Sequence, residues 1–506
     1  MEGQLSIIPA PVSIRYTGGI FQSKGLPVIT VDADLKNEIE TVRMQLRDDF
    51  DRMGYTGGEL GKLVLCSMGF ENNNSEAYRI NITKANINIK AASPAGAYHG
   101  LQTFRQLVLS EFKDGVLTLP CAEITDYPRF SWRGFMLDCS RYFYSVPFIK
   151  KIIDALSLHH INRFHWHLTD DQGWRLPVEK YPLLTETGSL RKDHRKTWLP
   201  PEGGFYSKDE IRDVLNYASS RHIEIIPEVD LPGHASAILA SYPDLGCTGG
   251  PYNVEDRFGI FEDVLCAGND RIFDLAEAVF DTLADLFPSQ WVHIGGDEVL
   301  FNRWQECPKC QKRLKLLGLE KTSELQSWIT YRLVRMLAER GKTAIGWDEI
   351  LDDCEKFPLP KEAIVMSWRG ESGGIRGGAL GHRVIMSPNT SGCYLDYKHS
   401  DDPEEPGQLF EGSASVYKSY SMAPVTPDMS EEDARKILGG QCNLWSELIY
   451  AGKIAEYMIF PRLCAIAEAV WSPREAKDFD DFSQRLTVHQ KRLDVLKLNQ
   501  YRGALR

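Results

Sequence analysis

The sequence predicts an α/β protein in which a (β/α)8 TIM barrel follows a small α+β domain. The chain has 506 residues, which at roughly 150 residues per domain is enough for one large barrel and a smaller companion. The pattern of apolar residues changes near residue 125. Beyond about residue 130, short apolar runs alternate with longer amphipathic stretches. This alternation is typical of βα units built around a parallel sheet.

The first segment contains signals for strands and for helices. The stretch YRINITKANINIK alternates apolar and polar residues, with Ile80 and Ile82, then Ile87 and Ile89, on one face across a short turn. Alternation with a period of two predicts an antiparallel hairpin with one exposed face. The stretch SPAGAYHGLQTFRQLVL, which follows, predicts a helix. Both signals together favour an α+β domain.

Eight apolar runs qualify as barrel strands, with helical stretches between most of them. One such stretch, ELQSWITYRLVRMLAERG, has an apolar face and is followed by Gly341, a residue type that commonly ends a helix. We therefore expect an α+β domain at residues 1–125, a barrel at 126–480 and a helical tail packed on the barrel at 481–506. The strand candidates are GFMLDCS, RFHWHL, IEIIPEVD, WVHIGGDE, TAIGWDEI, AIVMSWRG, RVIMSPN and QCNLWSE.

Composition and charge exclude several classes of protein. Lys and Arg number 58 and Asp and Glu 70, which gives a net charge of −12 and argues against a nucleic-acid binder, since phosphate contacts need a basic surface. The sequence contains no apolar stretch of about 18 residues, so we expect no transmembrane helix and no membrane partner. The start, MEGQLSIIPAPVS, lacks the features of a signal peptide. The chain is therefore expected to be cytoplasmic as written, or periplasmic or secreted if a leader has been removed. As to its oligomeric state, we expect a monomer or a homodimer.

Polar or aromatic side chains stand at the end of each predicted strand. In a (β/α)8 barrel these carboxyl ends meet at one mouth, where catalytic residues lie. Carboxylates and indoles dominate and Lys is nearly absent, so the mouth suits a neutral sugar, which offers a C–H face for stacking and hydroxyls for carboxylates. The strand-end residues are Asp138 and Arg141, His167 to Asp171, Glu228 to His234, Asp297 and Glu298, Trp347 and Asp348, Trp368, Tyr394 and Asp396, and Trp445 and Glu447.

The pair Asp297–Glu298 is the strongest local signal and follows the strand WVHIGG. Adjacent residues at a strand end point in different directions, so the two carboxyl groups can take different roles in one pocket. A carboxylic acid near apolar walls or a second carboxylate has a raised pKa and can protonate a leaving oxygen near neutral pH. The alternative interpretation is a pair that caps the next helix. The other strand ends favour the catalytic interpretation.

Six motifs closely resemble those of the family-20 glycoside hydrolases, the β-N-acetylhexosaminidases. They occur in the family's order, and the resemblance extends from about residue 5 to about residue 475. It implies that the small domain precedes a catalytic barrel and that catalysis is substrate-assisted: the 2-acetamido oxygen of the substrate attacks the anomeric carbon and forms an oxazolinium ion. The motifs are RGFMLDCSRYF, HWHLTDDQGWR, IPEVDLPGHASA, HIGGDE, GWDEI and NLWSE.

The resemblance also implies roles for individual residues. Glu298 would be the general acid and then the general base. Asp297 would accept a hydrogen bond from the acetamide N–H and Tyr394 would donate one to its oxygen. The remaining implied roles are hydroxyl binding by Arg141, Asp170, Asp396 and Glu447, contact with the acetamide methyl by Trp347 and Trp368, stacking under the ring by Trp445, and support of the catalytic carboxylates by Asp230, His234 and His293.

The expected activity is exo-acting removal of terminal, non-reducing β-linked N-acetylglucosamine, and N-acetylgalactosamine, with retained configuration and without a catalytic cofactor. One alternative is a metal-dependent amidohydrolase barrel, because His165 and His167 form an HxH motif. That class carries HxH on the first barrel strand and needs a bridging Lys, whereas this motif lies on the second. Another alternative is a non-catalytic sugar-binding protein, which would have lost one of the acids of GGDE.

Four of the eleven cysteines fall on neighbouring loops. Cys247 and Cys266 follow the third predicted strand, and Cys307 and Cys310 follow the fourth in ECPKC. Four thiols arranged in this way could bind a structural Zn²⁺ tetrahedrally. The alternatives are a Cys247–Cys266 disulfide with a free CxxC, or four unpaired thiols. Such a metal would brace the loops and take no part in catalysis.

Overall fold

The structure is a computed structural model, and it describes residues 4–24, 26–31, 35–55, 59–67, 69, 74–192, 202–410 and 412–506. It contains a mixed sheet in the first part of the chain and a closed barrel after it. The sheet ends at Asp126, and the first barrel strand begins at Trp132. The prediction of a TIM barrel preceded by a small domain is therefore confirmed.

The first sheet has the order β1–β7–β4–β5–β3–β2, with β6 paired to β7. The predicted hairpin is present: Ile80 pairs with Ile89 and Ile82 with Ile87, and all four are buried. Helix α2 begins after Ser93, whose hydroxyl accepts from the first-turn nitrogens. The elements are β1 (Ser13–Lys24), β2 (Leu26–Val31), α1 (Lys36–Arg52), β3 (Glu59–Ser67), β4 (Tyr78–Ile82), β5 (Ile87–Ala91), α2 (Pro94–Glu111), β6 (Phe112–Lys113) and β7 (Val116–Asp126).

The barrel consists of eight parallel strands in sequence order, and the eighth closes on the first. Each of the eight predicted runs supplies one strand. Because all strands run in one direction, their carboxyl ends open at the same face. The strands are β8 (Trp132–Asp138), β9 (Arg163–His167), β14 (Glu224–Glu228), β15 (Trp291–His293), β16 (Thr343–Trp347), β17 (Ile364–Ser367), β18 (Val384–Met386) and β19 (Ile437–Leu444). Two short pairs lie in loops, β10 (Thr169–Asp170) with β11 (Gly173–Trp174) and β12 (Leu190–Arg191) with β13 (Glu202–Gly203).

Helices surround the barrel and bury their apolar faces against it. The stretch predicted from ELQSWITYRLVRMLAERG is a helix whose buried residues include Trp328 and Leu333, and Gly341 beyond its end has a φ of +69°. Among the described residues, no helix is both long enough and apolar enough to cross a membrane. The helices are α3 (Val146–Leu158), α4 (Leu183–Glu186), α5 (Lys208–Ser219), α6 (Ser236–Ser241), α7 (Arg271–Leu286), α8 (Asn302–Glu306), α9 (Pro308–Leu316), α10 (Glu324–Ala338), α11 (Ser372–Ala379), α12 (Val416–Ser421), α13 (Glu431–Ala434), α14 (Gly452–Ile459), α15 (Arg462–Trp471) and α16 (Phe479–Val495).

The barrel and the first domain share buried contacts. Trp471, at the end of α15, is fully buried and belongs to the apolar core of the first domain. Its indole N–H lies 3.0 and 3.1 Å from the two carboxylate oxygens of Asp126. The last helix, α16, packs on α2 of the first domain as well as on the barrel, where Arg485 bonds Glu468 at 2.7 Å. The C-terminal helix therefore bridges both parts of the molecule.

Candidate active site

A cavity of about 540 Å³ opens at the carboxyl ends of the barrel strands. Its walls contain almost all of the residues that were predicted to act on or bind a sugar. Only Asp170 among them is not part of the wall, and it lies behind Arg141. The predicted residues that line the cavity are Arg141, Asp297, Glu298, Trp347, Trp368, Tyr394, Asp396, Trp445 and Glu447.

The turn after β15 places Asp297 and Glu298 in this wall. Gly295 and Gly296 both have positive φ, and a Cβ on Gly295 would lie 1.8 Å from a carboxylate oxygen of Asp230. The backbone N–H of Gly296 donates to that same oxygen at 3.0 Å. Glu298 itself has a φ of +52°, a left-handed conformation that is rare outside glycine. The surrounding structure therefore holds the general-acid candidate in a strained backbone position.

The carboxyl groups of Asp230 and Asp297 share one buried space. With His234, their side chains offer atoms that all lie within 4.8 Å of one another. Burial, and then the neighbouring Asp230, raises the pKa of Asp297 well above its usual range. Burial also raises the pKa of Asp230 to about 7, assisted by Glu228 and opposed by His234. Two close carboxyl groups of this kind keep one proton between them.

His234 connects this pair to two further carboxylates. Its Nδ1 lies 2.9 Å from Asp171 and 3.1 Å from Asp170. Burial opposes protonation of the imidazole, but Asp170 and Asp171 raise its pKa well above the usual range. Its Nε2 lies 3.5 Å from a carboxylate oxygen of Glu298 and 3.6 Å from one of Asp297. A positive imidazole thus stands beside both catalytic candidates.

Arg141 forms one end of the cavity. Its guanidinium lies 2.8 Å from Asp170 and 3.9 Å from Glu447, and it stacks at 4.9 Å from the centre of the Trp445 ring. Burial would raise the pKa of Asp170, but Arg141 and then His234 hold it below the usual range. Asp170 is therefore a fixed negative charge that orients Arg141 toward the cavity.

Aromatic rings form the side walls. Trp368 and Tyr394 stack nearly parallel, with ring centres 6.1 Å apart, and Trp347 lies 5.7 Å from Trp445. The indole N–H of Trp347 donates to Glu228 at 3.0 Å. Burial raises the pKa of Tyr394 well above its usual range, so its hydroxyl keeps its proton and remains a donor. The Tyr394 backbone is positioned by a parallel bridge to the last barrel strand.

Asp396 and Glu447 present acceptor oxygens. Burial raises the pKa of both groups, and the neighbouring Glu447 adds to the effect at Asp396. Within the part of the chain that the structure describes, Asp396 Oδ1 and Glu447 Oε2 are buried and have no hydrogen-bond partner. Buried polar atoms are normally paired. These two oxygens are therefore suited to a ligand that brings hydroxyl groups.

His293 and the HxH motif lie deeper than the cavity wall. His293 Nδ1 lies 2.9 Å from Glu228 Oε1, and His165 Nε2 lies 2.8 Å from Glu228 Oε2. All of these side chains are fully buried. His293 also approaches the catalytic turn, because its Nδ1 lies 3.1 Å from the backbone nitrogen of Gly295.

Several residues of the site were not assigned roles from the sequence. His167 bonds Asp170 at 2.8 Å and contacts Glu228, so it links the barrel interior to Arg141. Their position at the strand ends could have identified both His167 and Glu228 as residues of the site. The outer rim comes from loops without periodic patterns, so the sequence offered no signal for its residues. The rim residues are Phe258, Gly259, Ile260, Tyr397, Gln408, Phe410 and Leu448.

Comparison with known proteins is consistent with this geometry. The description "Glycosyl hydrolase family 20, catalytic domain" matches residues 130–474, and "Glycosyl hydrolase family 20, domain 2" matches residues 4–127. A β-hexosaminidase of Porphyromonas gingivalis is 39% identical over 98% of this chain, and the match spans 64% of that relative's length.

Solved structures are similar over nearly the whole chain. An exo-β-N-acetylglucosaminidase from Vibrio harveyi in complex with N-acetylglucosamine has a TM-score of 0.88 and 32% identity, covering 98% of this chain and 78% of its own. A mutant Streptomyces plicatus β-hexosaminidase in complex with product has a TM-score of 0.85 and 28% identity, covering 99% of this chain and 97% of its own. Since the family match spans most of the chain and both parts of the fold, this protein belongs to glycosyl hydrolase family 20.

Proposed function

We propose that the protein is an exo-β-N-acetylhexosaminidase that releases terminal β-linked N-acetylglucosamine, and N-acetylgalactosamine, from the non-reducing end of glycans. The observation that carries this proposal is the pair Asp297–Glu298 in a cavity that also offers a tyrosine hydroxyl, three indoles and unpaired carboxylate oxygens. The names of the similar proteins, which include a β-hexosaminidase and an exo-β-N-acetylglucosaminidase, agree with it.

In the first step the substrate supplies the nucleophile. Asp297 accepts a hydrogen bond from the acetamide N–H and Tyr394 donates one to the acetamide oxygen, so the carbonyl oxygen faces the anomeric carbon. As the new C–O bond forms, the glycosidic bond breaks and its electron pair moves to the leaving oxygen. Positive charge that develops on the acetamide is stabilised by the Asp297 carboxylate. The product of this step is an oxazolinium ion.

Glu298 handles the proton in both steps. It protonates the leaving oxygen and then accepts a proton from the water that opens the oxazolinium ring, which restores the acid and retains the configuration. Its side chain is 31% exposed, whereas that of Asp297 is 11% exposed. The more exposed carboxyl group is the one that must meet both the leaving group and water.

The remaining residues of the cavity bind the sugar. Arg141 and Glu447 bind the 3-, 4- and 6-hydroxyls together with Asp396, whose free oxygen needs a donor. Trp445 stacks under the ring, and Trp347 and Trp368 contact the acetamide methyl. Rings around the acetamide exclude water, which strengthens the hydrogen bonds made there.

We propose that catalysis uses no cofactor, because every step above is performed by the substrate and by carboxyl and hydroxyl groups of the chain. Any zinc ion held by the four loop cysteines would stabilise those loops and would not touch the sugar.

The mechanism is tested with 4-nitrophenyl glycosides that differ only in the 2-substituent. The N-acetylglucosaminide is expected to be cleaved, and fluorine atoms on its acetyl group should slow cleavage steeply because they weaken the carbonyl nucleophile. The plain β-glucoside should be inert. Equal rates for the acetamide and the hydroxyl compound, or no fluorine effect, would overturn the substrate-assisted mechanism.

Two variants test the residue roles. Asp297→Asn should lower kcat by roughly 10²-fold or more, since it removes charge stabilisation. Glu298→Gln should lower kcat on chitobiose by roughly 10² to 10⁴-fold, but less on the nitrophenyl substrate, whose leaving group needs little protonation. Asp209→Asn, on the exposed surface of α5, is the matched control and should behave as wild type. A Glu298→Gln loss that is equal for both leaving groups would contradict its role as the general acid.

A further inference from the structure

The four loop cysteines converge on one point in the structure. Cys247 Sγ lies 3.8 Å from Cys310 Sγ, and Cys266 Sγ lies 3.8 Å from Cys307 Sγ and 3.6 Å from Cys310 Sγ. All four sulfur atoms lie within 4.8 Å of one another. Cys266, Cys307 and Cys310 are buried and Cys247 is half-buried, and all four are free thiols.

The backbone around the cluster is built closely. Cys307 directly precedes α9, with Pro308 in the first turn, so this residue stands at the positive end of that helix. Gly268 passes against the same turn: a Cβ there would lie 2.2 Å from the carbonyl carbon of Lys309. The N–H of Cys266 donates to the carbonyl of Leu245 at 2.8 Å, which holds together two parts of the loop after the third barrel strand.

We propose that Cys247, Cys266, Cys307 and Cys310 bind one structural Zn²⁺ ion as a tetrathiolate site. This inference is independent of the reaction proposed above, because it concerns the architecture of two loops.

The distances favour zinc over the other two states of the thiols. With Zn–S bonds of about 2.3 Å, the sulfur atoms of a tetrahedral site are about 3.8 Å apart, and the three sulfur–sulfur distances given above are 3.6 to 3.8 Å. A disulfide would bring one pair to about 2.05 Å and leave two thiols buried beside it. Four uncoordinated thiols have no physical reason to surround a common centre. In the structure, however, cysteines from two separate loops do surround one.

The proposed site lies between the loops that follow the third and fourth barrel strands. The first of these loops also carries Phe258 and Ile260, which line the rim of the cavity. This loop is also attached to the active site, because the N–H of Glu255 donates to the carbonyl of Asp171 at 3.0 Å. The second loop begins after β15 and carries Glu298. A metal at this junction would hold the rim and the general acid in a fixed relation.

The test measures metal and thiols in the purified full chain prepared without added zinc. Elemental analysis should find about one zinc per chain. An organomercurial that titrates thiols should release it, and cobalt(II) exchanged into the site should give the intense visible absorption typical of a tetrahedral thiolate complex. The double variant Cys307→Ser with Cys310→Ser should lose the metal. Cys354→Ser, which changes a half-buried thiol elsewhere, should keep it.

Three results would overturn the proposal. The first is less than about a tenth of an equivalent of zinc in the wild-type chain together with failure to bind added zinc or cobalt. The second is a thiol count under denaturing, non-reducing conditions that is two lower than the eleven cysteines of the sequence, which would indicate a disulfide. The third is a metal content that the double variant does not change. Because the wild-type measurements need no variant, a double variant that fails to fold leaves the test decisive, and none of these readouts depends on hydrolysis.

Discussion

Asp230 and Asp297 share a buried space, and burial raises the pKa of both carboxyl groups. One proton held between the two groups avoids two negative charges in the same buried space. Asn is nearly isosteric with a neutral aspartic acid. It could also still accept the 3.0 Å hydrogen bond that Gly296 donates to Asp230. Asp230→Asn therefore removes one titrating carboxyl group from the pair and keeps the size of the side chain.

Asp230→Asn is expected to change how stability depends on pH. Because the folded-state pKa of Asp230 is raised to about 7 from 3.8, the folded wild type binds this proton more tightly than the unfolded chain does. Its contribution is therefore fully present below about pH 4 and is lost as pH rises to about 7. The free energy of unfolding of the variant minus that of the wild type should grow by on the order of 2 kcal/mol between about pH 5 and about pH 7.

The measurement is chemical denaturation at the two pH values, with Asp209→Asn as the control. The exposed Asp209 carboxylate should leave the difference between variant and wild type constant. A pH-independent difference for Asp230→Asn would show that Asp230 is ionised in the folded protein.

At the level of secondary structure elements, α11 determines how one wall of the cavity is held. The side chain of Asp348 accepts from the backbone N–H of Trp368 at 2.9 Å and is buried. Gly373, in the first turn of α11, lies so close that a Cβ would be 2.4 Å from the Asp348 carboxylate. The absence of a side chain at this position lets the helix approach the residue that anchors Trp368.

Gly373→Ala should therefore displace Asp348 and with it Trp368. We expect a stability loss of about 1 to 3 kcal/mol, typical of overpacking at a tight contact, and a raised KM for N-acetylglucosaminides. Thermal unfolding and steady-state kinetics measure the two effects. Ser372→Ala, at the neighbouring position of the same helix, is the control and should change neither. If the Gly373→Ala protein were destabilised but had an unchanged KM, the position of Trp368 would not matter for sugar binding.

The elements were predictable where a local pattern carries the information. Apolar runs identified all eight barrel strands, and the position of Asp297–Glu298 directly after one of them identified the catalytic candidates. The proton shared with Asp230 depends on sub-ångström placement, so no pattern encodes it. Phe258 and Phe410 lie in loops that have no periodic pattern. They meet at one rim only because the whole chain is folded, so the local sequence does not predict this arrangement.

At the scale of the whole molecule, the buried contact between Trp471 and Asp126 is among those that join the barrel to the first domain. Asp126 accepts hydrogen bonds from the Trp471 indole and, at 2.5 Å, from the Tyr78 hydroxyl. Burial raises the pKa of Asp126 to about 7 although these hydrogen bonds oppose the shift. A carboxyl group in such a position is stable only while its partners remain in place.

Trp471→Phe is expected to destabilise the protein by about 1 to 3 kcal/mol, because it preserves most of the packing and removes a donor from a buried carboxyl group. Denaturant unfolding measures the change. Trp291→Phe is the matched control: among the described residues its indole nitrogen has no hydrogen-bond partner, so the cost should be smaller. Equal losses for the two variants would mean that the Asp126 contact contributes nothing beyond packing.

The acidic lining of the cavity is also expected to exclude sugars that carry a negatively charged substituent. Burial raises the pKa of both Asp396 and Glu447, and at Asp396 the neighbouring Glu447 adds to the effect. A sulfate or phosphate ester on the 6-position of the sugar would bring a negative charge into this buried space and would replace the hydroxyl donor by oxygens that only accept. Added salt would relieve little of the cost of burying that charge, since mobile ions screen buried charges poorly. Glycans capped by such esters should therefore resist trimming until another enzyme removes the ester.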